Sequence, residues 1–241
     1  AGGINGYEII LTKPAQSPDG RYKWFTTDVK MQPVFGSEHY PELEKSNVYI
    51  YDNLNYRHCD KWEDGSYGHL FIKGNKSGSE VELNEGEPYD VPQQPFGGSE
   101  DYTWNHDGSK VYYVCKKEFG TAYAQSTNTD IYEYDLTTKQ TRNLTETNKG
   151  YDTSPVVSNN GTLAWLQMDE AGYESDKNDI IIMKDGKALN LTAHWDGTVF
   201  SFIFSENSKT IYFTAPIGGT RQLFELPIPR KANAEIKQVT D

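Results

Sequence analysis

Thr103-Trp-Asn-His-Asp-Gly-Ser-Lys-Val-Tyr-Tyr-Val-Cys115 sets a tight polar turn, Asp107-Gly108, ahead of an aromatic, alternating strand. The arrangement occurs three more times: Ala15-Gln-Ser-Pro-Asp-Gly-Arg-Tyr-Lys-Trp-Phe-Thr-Thr-Asp28, Val156-Val-Ser-Asn-Asn-Gly-Thr-Leu-Ala-Trp-Leu-Gln-Met-Asp169 and Ile203-Phe-Ser-Glu-Asn-Ser-Lys-Thr-Ile-Tyr-Phe-Thr-Ala215. Asp19-Gly20, Asp107-Gly108 and Asn160-Gly161 supply the positive-φ residues of a short hairpin connection, and Asn207-Ser208 is a weaker version of it. The second half of the unit repeats too, as strand pairs ending at Asn143-Leu-Thr145, Asn190-Leu-Thr192 and Gln238-Val-Thr240. Gly108 to Gly161 is 53 residues, Gly161 to Ser208 is 47, and Thr145, Thr192 and Thr240 follow at 47 and 48. Four short strands in each such period predict an all-β fold, a β-propeller of four-stranded antiparallel blades with about four blades present.

One interval departs from the period. Gly20 to Gly108 spans 88 residues, yet the surplus over a blade closing at Val81-Glu-Leu83 is too short for another blade. It predicts an insertion at about 52–68 in the first blade, between strands Asn47-Val-Tyr-Ile-Tyr51 and His69-Leu-Phe-Ile72, within a single propeller domain over 1–241. Long insertions on a rigid scaffold often carry function.

Composition narrows the function classes. A chain of 241 residues is long enough for one large β domain, and 17 Tyr, 10 Phe and 5 Trp offset a hydrophobic fraction of only 36%. A net charge of −12 without a basic cluster argues against nucleic acid as a partner. No run of 18 apolar residues suggests a membrane span, and the N-terminus reads as lacking a signal segment, as in a mature or trimmed product. Cys59 and Cys115 read as two independent thiols without metal-site spacing. The sequons Asn143-Leu-Thr145 and Asn190-Leu-Thr192 coincide with the blade-closing step and read as structural.

Catalytic motifs are missing. The chain has no Gly-x-Ser-x-Gly elbow, no His-Glu-x-x-His, no phosphate-binding loop, no dinucleotide fingerprint and no calcium loop, so neither cofactor nor metal is expected. Its five histidines are scattered, and its close carboxylate pairs, Glu100-Asp101, Asp169-Glu170 and Glu85 with Glu87, read as solvated surface unless a fold brings them across a cleft.

Ser46-Asn-Val-Tyr-Ile-Tyr-Asp-Asn-Leu-Asn-Tyr-Arg-His-Cys-Asp-Lys-Trp-Glu-Asp-Gly65, with Gly86-Glu-Pro-Tyr-Asp-Val-Pro92 and Phe96-Gly-Gly-Ser-Glu-Asp-Tyr-Thr-Trp104, resembles the N-terminal propeller of the prolyl oligopeptidase family, in its dipeptidyl-peptidase and acylaminoacyl-peptidase-like branch. The family pattern carries Trp where this chain has Cys59. The resemblance implies a non-catalytic propeller of a serine peptidase that gates access and helps bind short peptides for an α/β-hydrolase domain of the same parent. By that resemblance Arg57, His58, Asp60, Trp62, Glu63 and Asp64 form the first candidate for a substrate-facing element, and Glu100 and Asp101 the second. Alternatively Arg57 pairs with Asp60 or Glu63 merely to hold the insertion's shape. Family propellers have seven or eight blades, so four units imply a partial or open propeller with a tendency to self-associate through its terminal blades. The resemblance implies a periplasmic or otherwise exported protein, with a cytoplasmic one as the other option. A free-standing TolB-like or WD-repeat interaction module is the alternative function.

Overall fold

The structure, a computed structural model, describes residues 13–54, 56–228 and 234–240. Its strands form four successive antiparallel sheets and one separate hairpin. In the first sheet β1 (Tyr22–Lys30) would meet its hairpin partner at once were it not for a long connection, which carries β2 (Arg57–His58) and β3 (Lys61–Trp62); among the described residues these two pair only with each other. The sheet resumes with β4 (Ser66–Gly74) and β5 (Glu80–Glu82), in the order β1-β4-β5. Its innermost position is marked by the bridge Gln16–Lys23 and by the Trp24 N–H donating to the Ala15 carbonyl at 3.0 Å. The second sheet is β6 (Tyr102–Trp104), β7 (Lys110–Cys115), β8 (Asp130–Asp135) and β9 (Gln140–Asn143). The third is β10 (Asp152–Val157), β11 (Leu163–Gln167), β12 (Asp179–Lys184) and β13 (Lys187–Asn190). The fourth is β14 (Ser201–Phe204), β15 (Thr210–Ile217), β16 (Thr220–Pro227) and β17 (Lys237–Gln238). Each strand pairs with its neighbour in sequence, the up-and-down order of propeller blades.

Period-two alternation sends the two faces of a strand into two different cores. In β7, Val111, Tyr113 and Cys115 pack with Trp24, Leu70 and Ile72 of the first blade. Val114, between them, joins Ile131 against Leu163, Trp165 and Ile181 of the third. The third blade repeats the device, turning Ala164, Leu166, Ile180 and Ile182 toward Phe202, Ile211, Phe213 and Phe224 of the fourth. Trp165, Tyr113 and Phe213 are fully buried, and each such ring stabilises the stack by about 2–3 kcal/mol through burial alone. Among the described residues no such cluster joins the fourth blade to the first, so the four form an open arc.

The closing step has one geometry in the second, third and fourth blades. Thr145 Oγ1 accepts the Ile131 N–H at 3.0 Å, Thr192 Oγ1 the Ile180 N–H at 2.9 Å and Thr240 Oγ1 the Leu223 N–H at 3.0 Å. The same hydroxyls donate to Asp130, Asp179 and Gln222. In the first blade Asn84 Oδ1 does the work, accepting the Leu70 N–H at 3.1 Å. Asn190 donates to Asp179 at 2.8 Å, so its amide belongs to the blade.

At the opposite end of the strands lie the repeat turns. Gly20, Gly108 and Gly161 have φ of 71°, 72° and 87°, and Ser208 adopts 58° in the fourth turn. Each turn touches the next: a Cβ on Gly108 would lie 3.1 Å from the Asp19 carboxylate, and one on Gly161 2.9 Å from His106 Nδ1. The Asn160 N–H donates to Ser208 Oγ at 3.2 Å.

The insertion differs from its predicted bounds. β4 already begins at Ser66, and the whole connection is residues 31–65. Asn47–Tyr51 alternates like a strand but is held by the bridge Phe35–Tyr49, the Gly36 N–H to Val48 carbonyl bond and the Ile50 N–H to Val34 carbonyl bond, because its partner is the outgoing leg of its own loop and not the blade. A single helical turn, α1 (Gly36–His39), is tied there by the Glu38 carboxylate, which accepts the N–H groups of Val34 and Phe35 at 2.7 and 2.8 Å. Cys59 is an exposed free thiol and Cys115 a buried one. Among the described residues no helix is long and apolar enough to cross a membrane.

Candidate functional site

In an up-and-down blade the second-to-third strand connections and the crossings between blades share the end opposite the repeat turns. Here those connections shorten along the arc: residues 31–65, 116–129, 168–178 and finally only Gly218-Gly219. The first three converge on a cleft of about 820 Å³. One wall is the β2–β3 hairpin with Arg57, His58 and Trp62; facing it are Lys116, Tyr123 and Thr127 from the second blade and Met168 and Glu174 from the third. Gln93 to Phe96, in the crossing from the first blade to the second, form the rim, and Tyr151 lies on the floor side.

The hairpin turns on Cys59 and Asp60, with Cys59 in the left-handed region at φ 50°. Arg57 Nε donates to the Cys59 carbonyl at 2.7 Å, and its guanidinium sits 5.3 Å from the Trp62 ring centroid. His58 stands edge-on to Phe96 at 6.2 Å, which links hairpin and rim across the cleft. Phe96 is 82% exposed, a large apolar side chain left to solvent.

The rim loop is fastened from below. Asp101 is buried and its Oδ2 accepts the Gln93 N–H at 2.9 Å. The Gly97 N–H donates to the Gln93 carbonyl at 2.6 Å, and a Cβ at Gly97 would fall 2.1 Å from Asp101 Oδ2, so only glycine fits there. Burial pushes the Asp101 carboxyl up to about 7, with Glu100 adding to the rise and Lys13 opposing it. Burial likewise pulls the Lys13 ammonium down to about 8; it donates to the carbonyls of Glu100 and Pro155 at 2.7 and 2.8 Å. The Tyr151 hydroxyl donates to Gln93 Oε1 at 2.9 Å and is itself pushed up to about 12 by burial. Lys116 is committed to the protein: it donates to the carbonyls of Tyr123 and Ser126 and lies 4.2 Å from the Tyr123 ring. Burial lowers its pKa, while Glu118 and Glu174 raise it. Exposed Glu174 and the guanidinium of Arg57 are therefore the opposite charges that a ligand can reach.

The sequence candidates separate accordingly. Arg57, His58 and Trp62 border the cleft. Asp60 is an exposed turn residue outside it, and Glu63 borders a cavity of about 100 Å³ under the insertion, where burial raises its pKa. Glu100 is exposed and contributes its backbone carbonyl, and Asp101 acts beneath the rim rather than in the cleft. Among the described residues Arg57 makes no ion pair with Asp60 or Glu63; the neighbouring backbone and Trp62 hold it instead. Tyr123, Tyr151 and Glu174 were not singled out by motif; the long gaps between paired strands at 116–129 and 168–178 are the sequence signal for Tyr123 and Glu174, and nothing local marks Tyr151.

No protein-family model matches the chain. A dipeptidyl-peptidase 5 from Porphyromonas gingivalis is 35% identical over 248 residues, covering 99% of this chain and 34% of the relative, so the chain spans about a third of that protein's length. Among solved structures, an acylaminoacyl peptidase from Pyrococcus horikoshii superposes with a TM-score of 0.55 at 14% identity, over 92% of this chain and 30% of that one. A TolB structure from Agrobacterium tumefaciens gives 0.53 at 17% identity, over 95% and 61%. Blade order, open arc and sequence identity together place the chain in the prolyl oligopeptidase family, as part of the β-propeller of its dipeptidyl-peptidase branch.

Proposed function

We propose that this chain is a non-catalytic propeller that gates access to, and helps hold short peptides for, an α/β-hydrolase domain of the same parent serine peptidase. The observation that carries this reading is the cleft of about 820 Å³ between the inserted hairpin and the blade loops, with one free charge of each sign on apolar walls. A short peptide has matching groups. Glu174 suits an α-ammonium, Arg57 suits a peptide carbonyl or carboxylate, and Trp62, Phe96 and Met168 offer apolar surface to side chains. On the same reading the parent acts outside the cytoplasm; fractionation of the source cells tests this.

The direct test is titration of the chain with dipeptides and dipeptide amides, followed by NMR. Arg57→Ala and Glu174→Gln should each weaken binding about tenfold, the loss of one charge-assisted hydrogen bond. Absence of any shift at Trp62 and Tyr151 with millimolar peptide sinks the reading. A free-standing interaction module survives instead if, in addition, the reading frame does not continue into an α/β segment bearing a nucleophile elbow. By the same reading, the outer faces of the first and fourth blades associate with each other or with further blades.

A further inference from the structure

Four rings of the 31–65 connection, Tyr49, Tyr51, Tyr56 and Trp62, lie against one another with centroids 5.6 to 6.3 Å apart and planes inclined by 20° to 40°. Tyr51 anchors the group by donating its hydroxyl to the Glu63 carbonyl at 2.5 Å. This is not a blade core. Trp165 and Tyr113 are 0% exposed, whereas Tyr49 and Tyr56 keep 42% and Trp62 46% of their surface open. The open sides border a second cleft of about 810 Å³, which shares Leu54, Tyr56 and Trp62 with the peptide cleft and adds Tyr49, Tyr51 and Asp52.

Charge selects what such a cleft takes. Residues 31–65 carry seven Asp and Glu against three Lys and Arg, in a chain of net charge −12, so anionic ligands are repelled. Ring faces are the negative side of the aromatic quadrupole and attract cations, most strongly at Trp. The rings of the insertion already show this preference, since Lys30 Nζ at the end of β1 lies 4.7 Å from the Phe35 centroid and Arg57 5.3 Å from that of Trp62. A purely apolar side chain would use the rings but not Asp52. A lysine or arginine uses both.

We infer that this cleft is a second binding subsite, one that receives the cationic side chain of a lysine or arginine in a peptide, held by the ring faces of Tyr49, Tyr56 and Trp62 and by the carboxylate of Asp52. The subsite is distinct from the peptide cleft, because Tyr49 and Asp52 do not border the peptide cleft and Arg57 and His58 do not border this one.

The test titrates the chain with Nα-acetyl amides of arginine, lysine, norleucine and glutamate, whose capped ends leave only the side chain to discriminate. Binding is read from the NMR shift of the Trp62 indole N–H. The arginine and lysine derivatives should bind at least about fivefold tighter than norleucine, and the glutamate derivative should not bind. Asp52→Asn and Tyr49→Leu should each weaken lysine binding about three- to tenfold, and raising NaCl from about 50 to 500 mM should weaken it further. Asp52→Asn is isosteric and exposed, so it decides the matter even if Tyr49→Leu unsettles the loop. Equal affinity for norleucine and lysine overturns the inference, as does indifference to Asp52→Asn. So does preferential binding of a neutral oligosaccharide such as maltotriose, which would make the rings a sugar platform. Because Trp62 borders both clefts and carries Arg57 on its ring, the two sites are separated by Tyr49→Leu and Asp52→Asn, which lie outside the peptide cleft, and by Glu174→Gln, which lies outside this one, so failure of one is distinguishable from failure of the other.

Discussion

Asp101 and Asp107 stand six positions apart in sequence and titrate at opposite extremes. Asp107, in an exposed repeat turn, is held down to about 2, first by its hydrogen bonds with Ser109. Asp101 is raised to about 7 by burial under the rim loop. A folded-state pKa raised above the unfolded one means that the native state binds the extra proton, so stability is greatest in acid and declines as pH rises from about 4 to about 7. Asp101→Asn keeps an acceptor for the Gln93 N–H but removes the titration. Urea unfolding should then show a weaker decline between pH 4 and 7, the difference in slope being at most about 1.4 kcal/mol per pH unit. An unchanged slope would show that the carboxyl is not the buried proton acceptor. At the blade-closing step, Thr192→Val should cost about 1–3 kcal/mol in the same assay, because the buried Ile180 N–H and the Asp179 carboxylate lose a partner together.

Among elements, the blades were legible in the sequence and the site was only half so. Alternation in Lys110–Cys115 and the Asp–Gly turns are local signals, and local physics suffices for a hairpin. Asn47–Tyr51 shows where this fails: Val48 and Ile50 alternate with tyrosines as in a strand, but strand pairing depends on the partner, and here the partner is the loop at Val34 and Phe35. Likewise Arg57, His58 and Trp62 were visible as an unusual cluster, while Glu174 and Tyr151 join them only because successive blades bring distant loops together. Among the described residues the β2–β3 hairpin makes no strand pairing with any blade. Replacing residues 57–62 by a Gly-Ser linker should therefore lower the melting temperature by only about 3–6 °C, the loss of the Trp62 stacking costing about 1–2 kcal/mol, while abolishing dipeptide binding. A large drop on a circular dichroism melt would instead make the hairpin part of the scaffold.

At the scale of the whole molecule the arc has two unlike ends. The face of the fourth blade turned away from the third presents half-buried Ile203, Tyr212 and Leu223, and the face of the first turned away from the second presents Phe25 stacked on Phe71 at 5.1 Å. Sedimentation at rising concentration should show association that Leu223→Lys weakens, and a clean monomer at high concentration would remove the proposal of self-association. Within one molecule the repeat turns form a continuous strip: Gly108 lies against Asp19, Gly161 against His106, and Asn160 bonds to Ser208. The loop ends are joined as well: the Gly172 N–H donates to Thr127 Oγ1 at 2.9 Å, the Tyr123 hydroxyl to the Gln94 carbonyl at 3.0 Å, Thr129 bridges to Tyr151 between the second and third blades, and across the cleft mouth His58 meets Phe96 edge-on. Neighbouring blades are thus tied at both ends and keep a fixed angle, so the width of the cleft is a property of the inserted hairpin, the wall whose strands, among the described residues, pair with no blade.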